Sequence, residues 1–257
     1  MDETRPLALL SNDDGVTSRG LEIMCEALRE RFDVVIIAPE TEQSASSPSL
    51  RLHRPLRLRK VSDDPAAMTF ALDGTPADCI YVALHAGTRV LSRKPAVVVS
   101  GINRGLNLGQ DVFYSGTVAA AREGALRGLP AVAVSAHVHA DLPAVAKLAE
   151  KVATYLVTEG KRGVLFNINV PRKWGGEVRA TKIGARIYEE LVDMRLDPRG
   201  REYLWLGGPG VRHERNAGTD TDAYDDGAAS ITPLMLDLTK REDQVLTETI
   251  AAHVGAK

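Results

Sequence analysis

The stretch LALLSNDDGVTSRGLEIMCEALRERFDVVIIAP, residues 7–39, carries the reading of the fold. Its ends, LALLS (7–11) and VVIIAP (34–39), are short apolar runs without polar alternation, the pattern of strands buried on both faces of a parallel sheet. Between them RGLEIMCEALRERF (19–32) has helical length and amphipathic spacing. A buried strand, a helix and a second buried strand make a right-handed βαβ unit. The first strand runs straight into Asp13 and Asp14, two adjacent carboxylates whose charges repel. A divalent cation would relieve that repulsion.

The same rhythm continues along the chain. PAVVVSG (95–101), AVAVSA (131–136) and VLFNINVP (164–171) read as further buried strands. TPADCIYVALHAG (75–87), TVAAAREGALRG (117–128) and DLPAVAKLAEKVATYLVTEG (141–160) read as the intervening helices. This alternation predicts a doubly wound α/β layer with a mostly parallel sheet. SLRLHRPLRLRKV (49–61) followed by MTFALDG (68–74) reads as a hairpin or edge insertion, with Leu50, Leu52, Leu56 and Leu58 at alternate positions. Residues 172–210 lose helical periodicity and predict a smaller β-rich portion; a returning strand (228–239) and a terminal helix (240–255) follow. The expected division is a core at 1–171 and an extension at 172–257.

Composition excludes several classes. The chain has 257 residues, 44% of them hydrophobic, enough to bury a sizeable core. Thirty-two Lys and Arg against 34 Asp and Glu leave a net charge of −2, which supplies no broad field for duplex nucleic acid or an anionic membrane. Any phosphate binding must be local. Cys25 and Cys79 stand alone, without CxxC or Cys/His clusters, which disfavours structural zinc and a disulfide framework and fits a reducing cytoplasm. The acidic start MDETRPLALL reads as neither signal peptide nor membrane span.

In doubly wound sheets ligands collect beyond the carboxyl ends of the strands. That edge should gather Asp13 and Asp14, the loop ETEQSASS (40–47) and the segment SGINRGLNLGQDVFYSGT (100–117). Asp13 and Asp14 offer hard oxygen donors suited to Mg²⁺ or Mn²⁺, and Ser44 or Ser46 with Asn103 or Asn107 offer neutral oxygens to extend the shell. The plainer alternative makes Asp-Gly a turn and Asp14 a helix cap. Ser115-Gly116-Thr117, directly before an Ala-rich helix, would hold an anion at the positive end of its dipole as well as cap it. The glycine spacing matches neither GxGxxG nor GxxxxGK[ST]. His137 and His139 suggest a metal pair but read by default as a surface loop. GTDTDAYDDG (218–227) fails as an EF-hand loop, with Asp225 where glycine is needed and Ile231 where the bidentate Glu belongs, and reads as a capped turn.

Together, LLSNDDG, VVIIAPETEQSASS, SGINRGLNLGQDVFYSGTVAAAREG and DTDAYDDGAASITPL resemble the stationary-phase survival SurE family of metal-dependent 5'/3'-nucleotidases, from the first strand to about residue 240. The resemblance implies a Rossmann-like core with a smaller C-terminal β-hairpin portion, and homodimers or homotetramers exchanging C-terminal segments. It implies one divalent cation per subunit, held by Asp13, Asp14, Ser44 and Asn103. Asn107 and Ser115-Gly116-Thr117 match the positions expected to contact substrate phosphate, and Asp13, Asp14 and Asn107 would carry catalysis.

The expected reaction is hydrolysis of nucleoside monophosphates by metal-activated water. A covalent aspartyl-phosphate route is the mechanistic rival, although its familiar Asp-x-Asp pattern is absent at 12–14, Asn-Asp-Asp. A non-catalytic nucleotide or phosphate sensor and a metal-dependent glycosyltransferase are the competing functions.

Overall fold

The computed structural model describes residues 5–43, 49–64, 66–188, 192–206 and 210–255. The chain opens with β1 (Leu7–Ser11), α1 (Arg19–Leu28) and β2 (Asp33–Pro39). An edge hairpin, β3 (Leu58–Ser62) and β4 (Ala67–Leu72), leads into α2 (Pro76–His85). Then come β5 (Val97–Arg104), α3 (Gly116–Leu126), β6 (Ala131–Ala136), α4 (Leu142–Thr158) and β7 (Leu165–Val170). The C-terminal portion holds β8 (Val178–Ala180), β9 (Ala185–Tyr188), β10 (Val192–Leu196), β11 (Glu202–Leu206), β12 (Val211–Glu214), α5 (Asp220–Asp225), β13 (Ala229–Leu234) and α6 (Gln244–Gly255).

Nine strands form one sheet in the order β3-β4-β2-β1-β5-β6-β7-β13-β8. The six from β4 to β7 are mutually parallel, whereas β3 runs antiparallel to β4 and β13 antiparallel to β7. This is the doubly wound, mostly parallel sheet that the apolar runs predict. Alternate residues of β1 face opposite layers: Ala8 and Leu10 pack with α1 and α4, Leu7 and Leu9 with α2 and α3. Burial on both sides is why no polar alternation shows in these strands. Leu9 is fully enclosed, so truncating it to Ala costs about 2–5 kcal/mol.

The strand order reverses at β1, with β2 on one side and β5 on the other. That topological switch opens a crevice above the ends of β1 and β5, and the residues following β1 are Asn12, Asp13 and Asp14.

Two local readings change in the structure. Alternation over 49–61 predicts a long strand, but pairing begins only at Leu58, and Leu52 is 77% exposed. Pro55 has no N–H for a ladder, which stops the strand short of it. The segment 218–227, read as a capped turn, is a short helix with Thr219 as its N-cap.

Beyond the sheet, β10–β11 and β9–β12 are small antiparallel pairs. Val192, Met194, Leu196 and Trp205 on the first pair, and Val245, Leu246, Ile250 and Val254 on α6, are exposed. No described helix is long and apolar enough to cross a membrane.

Candidate active site

Three loops meet above β1, β2 and β5, as the edge rule requires. The backbone amide of Gln43 donates to Asp13 O at 2.8 Å, that of Val16 to Pro39 O at 2.9 Å, and that of Arg104 to Asp14 Oδ2 at 3.1 Å. The β1 loop is braced from within. Asn12 Nδ2 donates to Gly15 O (3.0 Å) and to Ser18 Oγ (2.6 Å). Ser18 caps α1, accepting from the Leu21 amide, so Asp14 is not the cap of that helix and is left facing the crevice loops.

Asp13 and Asp14 turn toward different layers. Asp13 is 4% exposed and sits against the N-terminus of α3, where the Thr117 hydroxyl donates to its Oδ1. A Cβ on Gly116 would stand 2.8 Å from the Asp13 Cβ, so only glycine lets the helix come this close. Burial pushes the Asp13 carboxyl up to about 6; the Thr117 bond opposes the shift and the Asp14 charge adds to it. Asp14 is also raised, chiefly by burial, against the pull of the Arg104 amide. It lines a cleft of about 650 Å³ together with Asn103, Arg104 and His137.

Asn103 reaches this cleft through a β-bulge. Ser100 pairs with Ala133 of β6 and Asn103 with Ser135, so Gly101 and Ile102 together oppose Val134. An inserted residue re-aims the side chains after it. Gly101 has φ +134, and a Cβ there would lie 2.3 Å from Val134 O. The Asn103 Nδ2 donates to Gly105 O at 3.0 Å, leaving the amide oxygen as the group with lone pairs to offer.

Ser115 is the N-cap of α3, its Oγ accepting from the Val118 amide at 3.1 Å. The Ser115 hydroxyl is thus taken by Val118 and the Thr117 hydroxyl and backbone by Asp13, while no hydrogen bond of the Gly116 amide is found among the described residues. The anion that α3 holds in this structure is thus Asp13 itself. Asn107 is buried deeper. Its Nδ2 donates to Ser135 Oγ (2.7 Å), its backbone amide to Asn169 Oδ1 (2.8 Å), and its carbonyl accepts from Asn167 and Asn169. The polar face of β6 and β7 therefore fixes the glycine-rich loop from below.

Ser44 lies outside the described residues. His137 lines the cleft, whereas His139 is exposed; their rings are 5.6 Å apart. Among the described residues no three His, Cys, Asp or Glu side chains converge, so a cation here would rest on two carboxylates and neutral oxygens. The donor chemistry fits that group. Ser11 Oγ, Asn12 Oδ1 and Ser100 Oγ, buried at the same strand ends, lack hydrogen-bond partners among the described residues. Hard oxygens in this mixture suit Mg²⁺ or Mn²⁺.

Asp220 is the residue that the capped-turn reading missed. Fully buried, it accepts from the amides of Gly109 (3.0 Å), Gly184 (2.7 Å) and Thr221 (2.8 Å). It thereby bolts the glycine-rich loop to the C-terminal portion across 111 positions of chain. Arg186 and Tyr188 on β9 reinforce the joint through Asp111. The local signal was a Thr-Asp pair at a helix start; its distant partners leave no trace in spacing.

The family model described as Survival protein SurE matches residues 8–190. A protein named 5'-nucleotidase SurE from Sorangium cellulosum (strain So ce56) is 56% identical over 256 residues, covering 98% of each chain. Another of that name, from Thermoanaerobacter sp. (strain X514), is 41% identical over 237 residues, covering 90% of this chain and 93% of its own. The crystal structure of SurE protein from Aquifex aeolicus superposes with a TM-score of 0.80 at 34% identity, covering 95% of this chain and 99% of that one. The chain belongs to the SurE family.

Proposed function

We propose that this chain is a metal-dependent 5'-nucleotidase, hydrolysing nucleoside 5'-monophosphates, and 3'-monophosphates with them, to nucleoside and phosphate. The relatives' names support the nucleotidase part. The observation that carries the rest is the pair Asp13 and Asp14 at the switch point, one against the α3 N-terminus and the other facing the cleft.

Asp13, Asp14 and Asn103 would hold one Mg²⁺ or Mn²⁺ per subunit, with Ser44 as the fourth protein ligand that the family resemblance implies. When bound, such an ion polarises a phosphoryl oxygen and lowers the pKa of water. The chain itself supplies position and charge. The Gly116 amide and the α3 dipole face the corner where charge develops on the phosphoryl oxygens. Asn107, pinned by Asn167, Asn169 and Ser135, gives the loop a fixed height above the sheet, so its approach to the phosphate needs no rearrangement at the moment of reaction.

Homo-oligomer formation belongs to the same reading. The exposed apolar side chains of β10–β11 and of α6 form the sort of surface that a monomer in water rarely leaves uncovered. Light scattering after size exclusion should give a dimer or tetramer; a monomer contradicts it. The free, buried Cys25 and Cys79 support placing the chain in the reducing cytoplasm.

Incubation with AMP, GMP or the 3'-monophosphates in Mn²⁺ or Mg²⁺ should release phosphate, and EDTA should stop it. Binding of AMP without release would make the protein a sensor instead.

A further inference from the structure

The cleft that begins at Asp14 and Asn103 runs away from the α3 cradle, along the opposite face of the sheet. Asp13 looks toward α3, in the layer of α2 and α3; the cleft is walled by Ile102, by Leu142 at the start of α4 and by the N-terminal turn of α1. Gly20 brings that turn close: a Cβ on it would stand 2.3 Å from Ile102 O. At about 650 Å³ the cleft falls within the range of small-molecule sites and far exceeds what a phosphate group needs.

Its chemistry is mixed. Ile102 and Leu142 give an apolar wall, and Arg104 and His137 bring polar groups to it. The Arg104 backbone amide donates to Asp14 Oδ2, and the charge of its side chain, at the wall of the cleft, opposes the rise of the Asp14 carboxyl. His137 Nδ1 accepts from the His139 amide at 3.1 Å, which puts the proton of the neutral ring on Nε2 as a donor. Flat cationic and aromatic groups beside an apolar wall are suited to stack on a planar heterocycle and to donate to its edge or to ribose hydroxyls.

We propose that this cleft receives the nucleoside part of the substrate, with Arg104 and His137 as the residues that distinguish a nucleotide from a simple phosphate ester. The inference rests on the nucleotidase reading and deepens it. A substrate whose phosphate lies by Asp13, Asp14 and the Gly116 amide has its remaining atoms directed across the ends of β1 and β5 into the cleft. Base and ribose thus bind in one layer of the fold and phosphate in the other.

The test measures kcat/KM for AMP and for 4-nitrophenyl phosphate, which lacks ribose and base, in wild type, Arg104→Ala and His137→Ala. Arg104→Lys and His137→Gln are included so that stability and recognition are separated, and circular dichroism checks each fold. The ratio of AMP to aryl phosphate kcat/KM should fall about tenfold in each alanine variant, the worth of one lost hydrogen bond or stacked contact. The glutamine variant, which keeps a donor, should recover part of the ratio. An unchanged ratio, whether or not both activities fall together, overturns the assignment of the cleft. A wild-type protein that hydrolyses neither compound overturns the nucleotidase reading itself and the cleft assignment with it.

Discussion

The hydroxyl of Thr117 donates to Asp13 Oδ1, joining the first turn of α3 to the loop after β1 across 104 positions of chain. This bond makes the acid pair and the helix terminus one site. It also sets the electrostatic state of that site: a carboxylate taken out of water and compensated by one hydroxyl and a helix end.

Charge, not shape, is what Asp14 contributes. Asp14→Asn keeps the side chain's outline and replaces one carboxylate oxygen by an amide. Phosphate release from AMP should fall at least about a hundredfold while the circular dichroism spectrum stays as in wild type. Activity within threefold of wild type would remove Asp14 from the ligand set.

Acidity gives a separate handle on Asp13. Its carboxyl binds a proton more tightly folded, at about 6, than at the ordinary value of 3.8. The folded state therefore holds the extra proton between these values, and stability falls as pH rises from about 4 to 6. The full effect is about 3 kcal/mol. In EDTA, Asp13→Asn should gain stability relative to wild type as pH rises through this window, read from urea midpoints. Mn²⁺ at pH 7 should raise the melting temperature of wild type and not of the variant. A pH-independent difference would contradict the burial of a titrating carboxyl here.

Gly101 carries the bulge that aims Asn103. Gly101→Ala puts a Cβ 2.3 Å from Val134 O at φ +134, and should cost at least about 2 kcal/mol. Near-wild-type stability would mean the bulge is not formed as described.

Asp220 answers for the height of the glycine-rich loop. Asp220→Ala leaves the amides of Gly109 and Gly184 without their acceptor, at about 1–3 kcal/mol each. The melting temperature should drop, and kcat for AMP should fall about tenfold or more with a smaller change in KM, because the loop loses its fixed position. Asp220→Asn, which keeps one acceptor oxygen, should recover part of both. A variant that loses stability but keeps kcat would confine Asp220 to scaffolding.

Much of the fold and the site is legible along the chain because the physics is local. Two-sided burial writes continuous apolar runs, and the βαβ rhythm places their carboxyl ends at one edge, so topology brings Asp13, Asp14 and the segment carrying Asn103 to that edge, while the bulge that aims Asn103 leaves no such trace. Ser115 at the start of α3 follows from capping preference. Long-range pairing is different. Nothing in the spacing tells that Thr117 spends its hydroxyl on Asp13, that Asn169 holds Asn107 through both its amide and its carbonyl, or that Asp220 reaches Gly109. The alternating leucines at 50–58 show the converse: a pattern that fits a strand means little where Pro55 denies the ladder a donor, and of the four only Leu56 packs against the core.

The proposed chemistry turns on a cation seated by Asp13 and Asp14. A crystal soaked in Mn²⁺ and measured at the manganese edge tests it most directly. One anomalous peak per subunit is expected within about 2.3 Å of an Asp13 and an Asp14 oxygen, with the Asn103 amide oxygen in the same shell. A map with no peak at this corner, or with its peak elsewhere on the molecule, would contradict it.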